Sequence, residues 1–362
     1  CTAPKTCSKC GATEGTSLGH TWKDATCTAP KTCTKCGATE GTTLGHSYVD
    51  GICGNCGAAD PNYVVPTQKF DITLANLTLG NDLTLYFYIP ADACADWTGT
   101  YAVVTKPYAD GTPTATVTVP FENWESGFKS GGKDLYRVAF NGIAAKEMTD
   151  EVTIEIFNAE GKAISNPGKE SVRSYLDRFM EKNAADATKM RLAIDMLNYG
   201  AAAQTHFGYN TDNLANAGLS DEQKAFGTAT APACVNGNVK GANAKGSNLT
   251  LESSILMNFY FNGLTEDMYA VVTFTDHTGA SHNEKLGAHD GSRFTVNQVV
   301  VADARQLVTV TVYNADGSVY GTCTDSVESY VARARDAQAK GLPLYEAIIK
   351  FADSAYVYLH NR

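Results

Sequence analysis

Residues 1–20 read CTAPKTCSKCGATEGTSLGH, and residues 27–46 read CTAPKTCTKCGATEGTTLGH. The unit recurs with a period of 26 residues and carries three cysteines and a histidine each time: Cys1, Cys7, Cys10 and His20, then Cys27, Cys33, Cys36 and His46. A shortened third copy follows as Cys53-Gly-Asn-Cys56-Gly. Three thiols and an imidazole in a Cys-x5-Cys-x2-Cys-x9-His pattern are the donor set of a closed tetrahedral zinc site. A unit of about 20 residues cannot bury enough apolar surface to fold alone, so a metal clip is the natural substitute for a core. Clustered Cys-x2-Cys pairs favour metal over disulfides. The expectation is a small array of zinc-ribbon-like beads over residues 1–60 with at least one zinc, and by the repeat two.

Two ligand registers are compatible with the spacing. In the first, each site takes three cysteines and the histidine that follows them, which completes two sites and leaves Cys53 and Cys56 over. In the second, the histidine precedes its cysteines: His20 with Cys27, Cys33 and Cys36, and His46 with Cys53 and Cys56. The start at Cys1 favours the first. The truncated last copy, which keeps a histidine ahead of its Cys-x2-Cys, favours the second.

Composition bounds the rest. The chain has 362 residues, 43% hydrophobic and 19% charged, with a formal net charge of -10. The acidic balance argues against nucleic acid, because no basic stripe is present to neutralise phosphates. No apolar run approaches the roughly 18 residues of a membrane span. No signal peptide opens the sequence, which begins inside a repeat, so the chain reads as part of a longer protein.

After Asp60-Pro61 the cysteines thin out and a second duplication begins. Asn76-Leu-Thr-Leu79 returns as Asn248-Leu-Thr-Leu251, and Tyr101-Ala-Val-Val-Thr105 as Tyr269-Ala-Val-Val-Thr273. Val152-Thr-Ile-Glu-Ile-Phe-Asn-Ala-Glu-Gly161 returns as Val308-Thr-Val-Thr-Val-Tyr-Asn-Ala-Asp-Gly317, and Ser171-Val-Arg-Ser-Tyr175 as Ser326-Val-Glu-Ser-Tyr330. Within the first copy, residues 83–89, 100–105, 114–119, 135–140 and 152–157 show the period of two and the β-branched and aromatic content of strands. Asn158-Ala-Glu-Gly161 and Asn314-Ala-Asp-Gly317 predict hairpin turns. After them the period becomes helical, through Val172, Tyr175, Leu176 and Phe179, then Met190, Ile194, Leu197 and Ala201. The predicted fold is mainly β with α: two homologous β-sandwich domains, 61–209 and 234–362, each closed by a helical hairpin lying across a sheet face or edge. A linker over 210–233 is expected between them, with a short helix near Leu219 to Phe226 capped by Ser220 or Asp221.

The Thr-Cys-x-x-Cys-Gly-Ala-Thr-Glu-Gly core with its Leu-Gly-His ending resembles repeats in large modular surface and secreted proteins of Gram-positive gut anaerobes. So does Met196-Leu-Asn-Tyr-Gly200 running into Phe207-Gly-Tyr-Asn-Thr-Asp-Asn-Leu-Ala-Asn216. The resemblance implies an extracellular, modular, non-catalytic accessory protein, associated with adhesion or glycan capture. It brings no active site.

Candidate chemistry outside the repeats is sparse. Trp97, Trp124 and Phe128, with Glu122, Asn123, Glu125 and Asp134 nearby, have the composition of a sugar-binding face. The same acids could be read as a glycoside hydrolase pair. His277, His282 and His289 share one loop-rich stretch and could bind a metal. Cys94 is a lone loop cysteine. Cys234 and Cys323 are peculiar to the second copy, and a bridge between them would close a long loop. No Gly-x-Ser-x-Gly, P-loop, Rossmann or His-Glu-x-x-His motif is present. The expected function is therefore a non-catalytic scaffold, adhesion or binding module. Its partner would be a glycan or a host or cell-surface protein. A carbohydrate-binding accessory module, a glycan-acting hydrolase and a self-assembling filament subunit are the alternatives.

Overall fold

The computed structural model describes the chain except residues 50, 63–68, 73, 80–81, 226–236, 252–253 and 362. The protein is mainly β with a few helices, arranged as two compact units, Cys1–Gln68 and Lys69–Arg362.

The first unit is built from two- and three-residue strands. β1 (Lys5–Thr6) pairs with β2 (Thr13–Glu14). β3 (Trp22–Lys23), β4 (Lys31–Cys33) and β5 (Thr39–Glu40) form a three-stranded sheet in that order. β6 (Tyr48–Val49) pairs with β7 (Ile52–Cys53). A core is almost missing: the buried apolar side chains among its described residues are Cys27, Cys33 and Cys53, whereas Leu18 is 79% and Leu44 62% exposed.

The second unit contains the duplication. In the first copy β8 (Leu74–Leu79), β9 (Leu83–Pro90), β10 (Tyr101–Lys106), β11 (Ala115–Pro120), β12 (Glu125–Ser130), β13 (Lys133–Ile143), β14 (Val152–Phe157) and β15 (Gly168–Glu170) make two four-stranded antiparallel sheets. Their orders are β12-β13-β9-β8 and β11-β10-β14-β15. In the second copy β16 (Val239–Lys240), β17 (Ala244–Leu251), β18 (Ile255–Phe261), β19 (Tyr269–Thr275), β20 (Ser281–Lys285), β21 (Arg293–Val296), β22 (Val308–Tyr313) and β23 (Val319–Asp325) follow. They form sheets β17-β18-β21 and β16-β23-β22-β19-β20. Matching strands occupy matching places, and among the described residues no sheet takes strands from both copies, although an isolated bridge pairs Asp82 with Ser254. Side chains alternate in and out, so Leu85, Phe87 and Ile89 face Ala102, Val104, Ile154 and Ile156 in one sandwich, as Met257, Phe259 and Phe261 face Ala270, Val272 and Val310 in the other. Both expected turns form: Gly161 and Gly317, at φ +76° and +81°, donate to Asn158 O and Asn314 O at 2.9 Å.

Each sandwich ends in two helices, α1 (Val172–Lys182) and α2 (Ala187–Phe207), and α4 (Val327–Asp336) and α5 (Leu342–His360). Ser171 and Ser326 cap α1 and α4 by accepting from the amides of Ser174 and Ser329. α2 and α5 pack on each other rather than lying only on their own sheets: Tyr199 stacks on Phe351 at 5.9 Å, and the Ser354 hydroxyl donates to Asp195. One continuous cluster of buried apolar residues runs through both copies.

The stretch expected to be a linker is tied down where it is described. Ala215 and Leu219 are buried, Ala215 N–H donates to Gln204 Oε1 at 2.7 Å, and Arg173 donates to Asn213 and to Leu214 O. α3 (Asp221–Lys224) follows, capped by Ser220 as expected.

Candidate metal centre

Thiols and imidazoles of the first unit gather into two clusters: Cys1, His20, Cys33 and Cys36, and Cys27, His46, Cys53 and Cys56. Within each, all four ligand atoms lie within 4.8 Å of one another. The assembled register keeps the second expectation's pairing of each histidine with the Cys-x2-Cys that follows it, but the fourth ligand is the cysteine that leads the histidine's own repeat, which neither register expected. Each cluster takes the leading cysteine and the terminal histidine of one repeat, and the Cys-x2-Cys of the next.

Backbone pairing explains the choice. Trp22, two residues after His20, pairs with Cys33, and Tyr48, two residues after His46, pairs with Cys53. The residue after each histidine is also tied to the next Cys-x2-Cys, since Thr34 N–H donates to Thr21 O at 2.9 Å and Gly54 N–H to Ser47 O at 3.2 Å. The leading cysteines are held from the other side. Gly19 N–H donates to Cys1 O at 3.1 Å, and Leu44 N–H to Thr26 O at 2.9 Å. So each repeat's end folds back on its own start and lies beside the next repeat's thiols.

The Cys-x2-Cys segments are knuckles. Gly37 and Gly57 donate to Cys33 O and Cys53 O at 2.9 and 2.8 Å, and Cys33 and Cys53 donate to Ala38 O and Ala58 O at 2.8 Å. This turn needs the left-handed backbone at φ +74° that both glycines adopt without cost. The imidazoles are braced: His20 stacks on Trp22 at 4.9 Å and His46 on Tyr48 at 5.4 Å.

The spacings fit a tetrahedral ion. Bonds of about 2.3 Å to sulfur and about 2.0–2.1 Å to nitrogen put two sulfurs about 3.8 Å apart, and a sulfur and a nitrogen about 3.6 Å apart. Cys1 and Cys33 sulfurs are 3.8 Å apart, as are those of Cys27 and Cys53. Nδ1 of His20 is 3.4 Å from Cys36 Sγ, and Nδ1 of His46 is 3.5 Å from Cys56 Sγ. The sulfur separations are far outside a disulfide, which bonds at about 2.05 Å. Both clusters could therefore hold a metal ion.

Electrostatics prepares thiolates. Burial works against the Cys33 thiolate, but amides of Lys35 and Cys36 and the His20 ring outweigh it and bring its pKa down to about 6. The His46 ring and the amides of Asn55, Cys56 and Ser47 bring Cys53 to about 5. Burial and the neighbouring Cys56 and Cys53 push Cys27 up to about 11. Three thiols this close cannot all ionise unless a cation joins them.

Cys7 and Cys10 fall outside both clusters and are exposed. A count could have exposed the register: two repeats carry a leading cysteine and a terminal histidine, while three carry a Cys-x2-Cys.

The other candidates are not assembled into sites. Trp97 and Trp124 are buried at 7% and 8% exposure, and their indole N–H groups donate to Ala91 O and Val119 O. They pack with Phe121 and Tyr136 as core, which corrects the reading of them as a glycan platform. Phe128 is half-buried, edge-on to Tyr88 and against the Arg137 guanidinium. Glu125 and Asp134 are ion-paired to Arg137 and Lys129. His277 binds Asp303, His282 binds Asp276, and His289 bonds the carbonyls of Gly291 and Thr265, so the three rings are not brought to one ion. Cys94 contacts Asp96 O at 2.9 Å. Cys323 is a free, buried thiol on β23, opposite Lys240 of β16, with its pKa raised by burial to about 11. Its expected partner Cys234 lies outside the described residues.

Compared with known proteins, the chain matches no family model, and no curated protein matches it.

Proposed function

We propose that residues 1–60 are a zinc-clamped spacer that carries the duplicated β unit of a non-catalytic, extracellular scaffold or binding protein. One observation carries this reading: each Cys/His cluster takes two members from one repeat and two from the next. A site of this kind does not stabilise a bead by itself. It fixes the joint between beads, which is what a spacer of defined length requires. Zinc suits the donor set, since three thiolates and an imidazole close the tetrahedron and leave no open position for catalysis. The near absence of an apolar core in this unit supports metal as the agent that orders it. The duplicated unit then supplies the binding surface, toward a glycan or a host or cell-surface protein. Ion pairing of Glu125 and Asp134 weighs against the hydrolase reading.

Native mass spectrometry and small-angle scattering test the proposal on the intact chain. Two zinc ions per chain are expected, with a maximum dimension that becomes broader and salt-dependent after chelation. A metal-free chain, or one whose scattering does not respond to chelation, would overturn it.

A further inference from the structure

Cys7 and Cys10 have the backbone of a completed site without its other half. Gly11 N–H donates to Cys7 O at 3.0 Å and Cys7 N–H to Ala12 O at 2.8 Å, as in the two Cys-x2-Cys knuckles that belong to the clusters. Gly11 has the same φ of +74° as Gly37 and Gly57. β1 leads into Cys7 as β4 leads into Cys33, and Lys5↔Glu14 and Thr6↔Thr13 repeat the register Lys31↔Glu40 and Thr32↔Thr39.

What differs is the neighbour. β4 has β3 on one side and β5 on the other, whereas β1 has β2 alone among the described residues. In the completed site the vacant place is taken by Trp22–Lys23, the two residues that follow His20 by one. Ser8, which matches Thr34, has no counterpart among the described residues to the backbone acceptor that Thr21 gives Thr34. Exposure changes accordingly at the first thiol: Cys33 is 2% exposed while its match Cys7 is open to solvent, whereas Cys10 and its match Cys36 are exposed alike. Two thiols, one knuckle and one strand edge are thus in place, and the matching thiol, imidazole and two-residue strand are not found among the described residues.

We propose that Cys7 and Cys10 are an open zinc half-site, completed by a segment that offers a cysteine and a histidine separated by 18 residues, followed by an aromatic residue two positions after the histidine. That is the spacing of Cys1 to His20 and Trp22, and of Cys27 to His46 and Tyr48. Both of those pairs are already engaged in their own clusters, so the complement is a further repeat segment. This inference rests on the zinc reading of the two clusters.

The test uses the intact chain and a synthetic peptide of residues 1–23 carrying Cys7→Ser and Cys10→Ser, which supplies only the thiol of Cys1 and the imidazole of His20. Native mass spectrometry in zinc reads metal and peptide together. The expected result is two zinc ions on the chain alone, and a third zinc accompanied by one peptide when the peptide is added. In a chain carrying Cys7→Ser and Cys10→Ser, two zinc ions remain and the peptide no longer binds. Two zinc ions with no peptide would overturn the half-site while leaving the zinc reading intact. Peptide retained by the double variant would also overturn it, as would a zinc-bridged dimer that joins two Cys7–Cys10 pairs and excludes the peptide. A chain without zinc would overturn both readings.

Discussion

The sulfurs of Cys1 and Cys33 lie 3.8 Å apart, although 32 positions separate them and a complete Cys-x2-Cys stands between them in sequence. The nearer pair is bypassed because the strand after His20 pairs with the strand that ends at Cys33. Two-residue strands add little stability of their own. Their role is to bring four donors within bonding reach of one ion; under the zinc proposal, the binding free energy of that ion is folding free energy.

That pairing separates the clusters by mutation. Cys33→Ser or His20→Ala is expected to remove one zinc and leave the other, whereas Cys7→Ser removes neither. Metal content of the purified variants checks this. Loss of a zinc in Cys7→Ser would restore the register in which each repeat closes on itself.

Chelation is expected to act on one unit only. Among the described residues up to Asn62 the buried apolar side chains are three cysteines, so removing the metal leaves the segment without a reason to stay ordered. The second unit has its own continuous core. Hydrogen exchange with and without a chelator should show protection lost across the first unit and unchanged across β9, β14 and α2. Acidification should do the same, because the thiolates and imidazoles must take up protons as the metal leaves. Protection in the first unit that survives metal removal would contradict this account.

Much of this was legible in the sequence, for particular reasons. The duplication, the strand order it implies and both Asn-Ala-x-Gly turns follow from alternation and turn chemistry acting locally. β12 is not legible in the sequence, because Glu125-Ser-Gly-Phe-Lys-Ser130 is polar and has a glycine at φ +92°. The union of the two copies is not legible either. α2 is buried nearly all round, and that burial is a property of where α5 sits, not of the spacing of its own residues. The Trp pair was misread for a related reason. Loop position gave no sign that Phe121 and Tyr136 would enclose both rings.

Trp97 offers a direct check on that correction. Trp97→Ala empties a site shared with Phe70, Phe121, Trp124 and Tyr136 and is expected to cost about 3–5 kcal/mol. Urea unfolding of the second unit measures it. A stable variant with altered binding to immobilised glycans would return Trp97 to the role of a surface platform.

Gly200 is expected to refuse even a methyl group. An added Cβ would stand 2.6 Å from Met148 Sδ, 3.0 Å from Ala215 Cβ and 3.3 Å from Ala145 O. Helix propensity favours alanine by about 1 kcal/mol, but overpacking costs about 1–3 kcal/mol, and the backbone oxygen cannot move aside as a flexible side chain can. Gly200→Ala should therefore be destabilising despite lying inside α2. An increase in melting temperature would show that the contact relaxes freely.

Asp195 should make the second unit less stable as pH rises. Its carboxyl is buried on α2 and accepts from Ser354 of α5. Burial raises its pKa to about 6, against the partly compensating Ser354 hydrogen bond and the charges of Arg191 and Lys350. Unfolded, the group titrates near 3.9. The folded state thus holds the proton more tightly, so the contribution is fully present below about pH 4. It is lost as pH rises through about 6, and flat above that. Allowing for partial solvent screening, the loss amounts to about 1–2 kcal/mol. Asp195→Asn, which cannot ionise, removes this slope. Measured by urea unfolding with chelator present throughout, so that metal is not a variable, the variant should be the more stable protein at pH 7.5. The gap should close by pH 4. Parallel pH profiles for the two proteins would mean that Asp195 does not carry the dependence. Asp150, buried and hydrogen-bonded by Tyr209, is also raised to about 6 and would then be the group to replace.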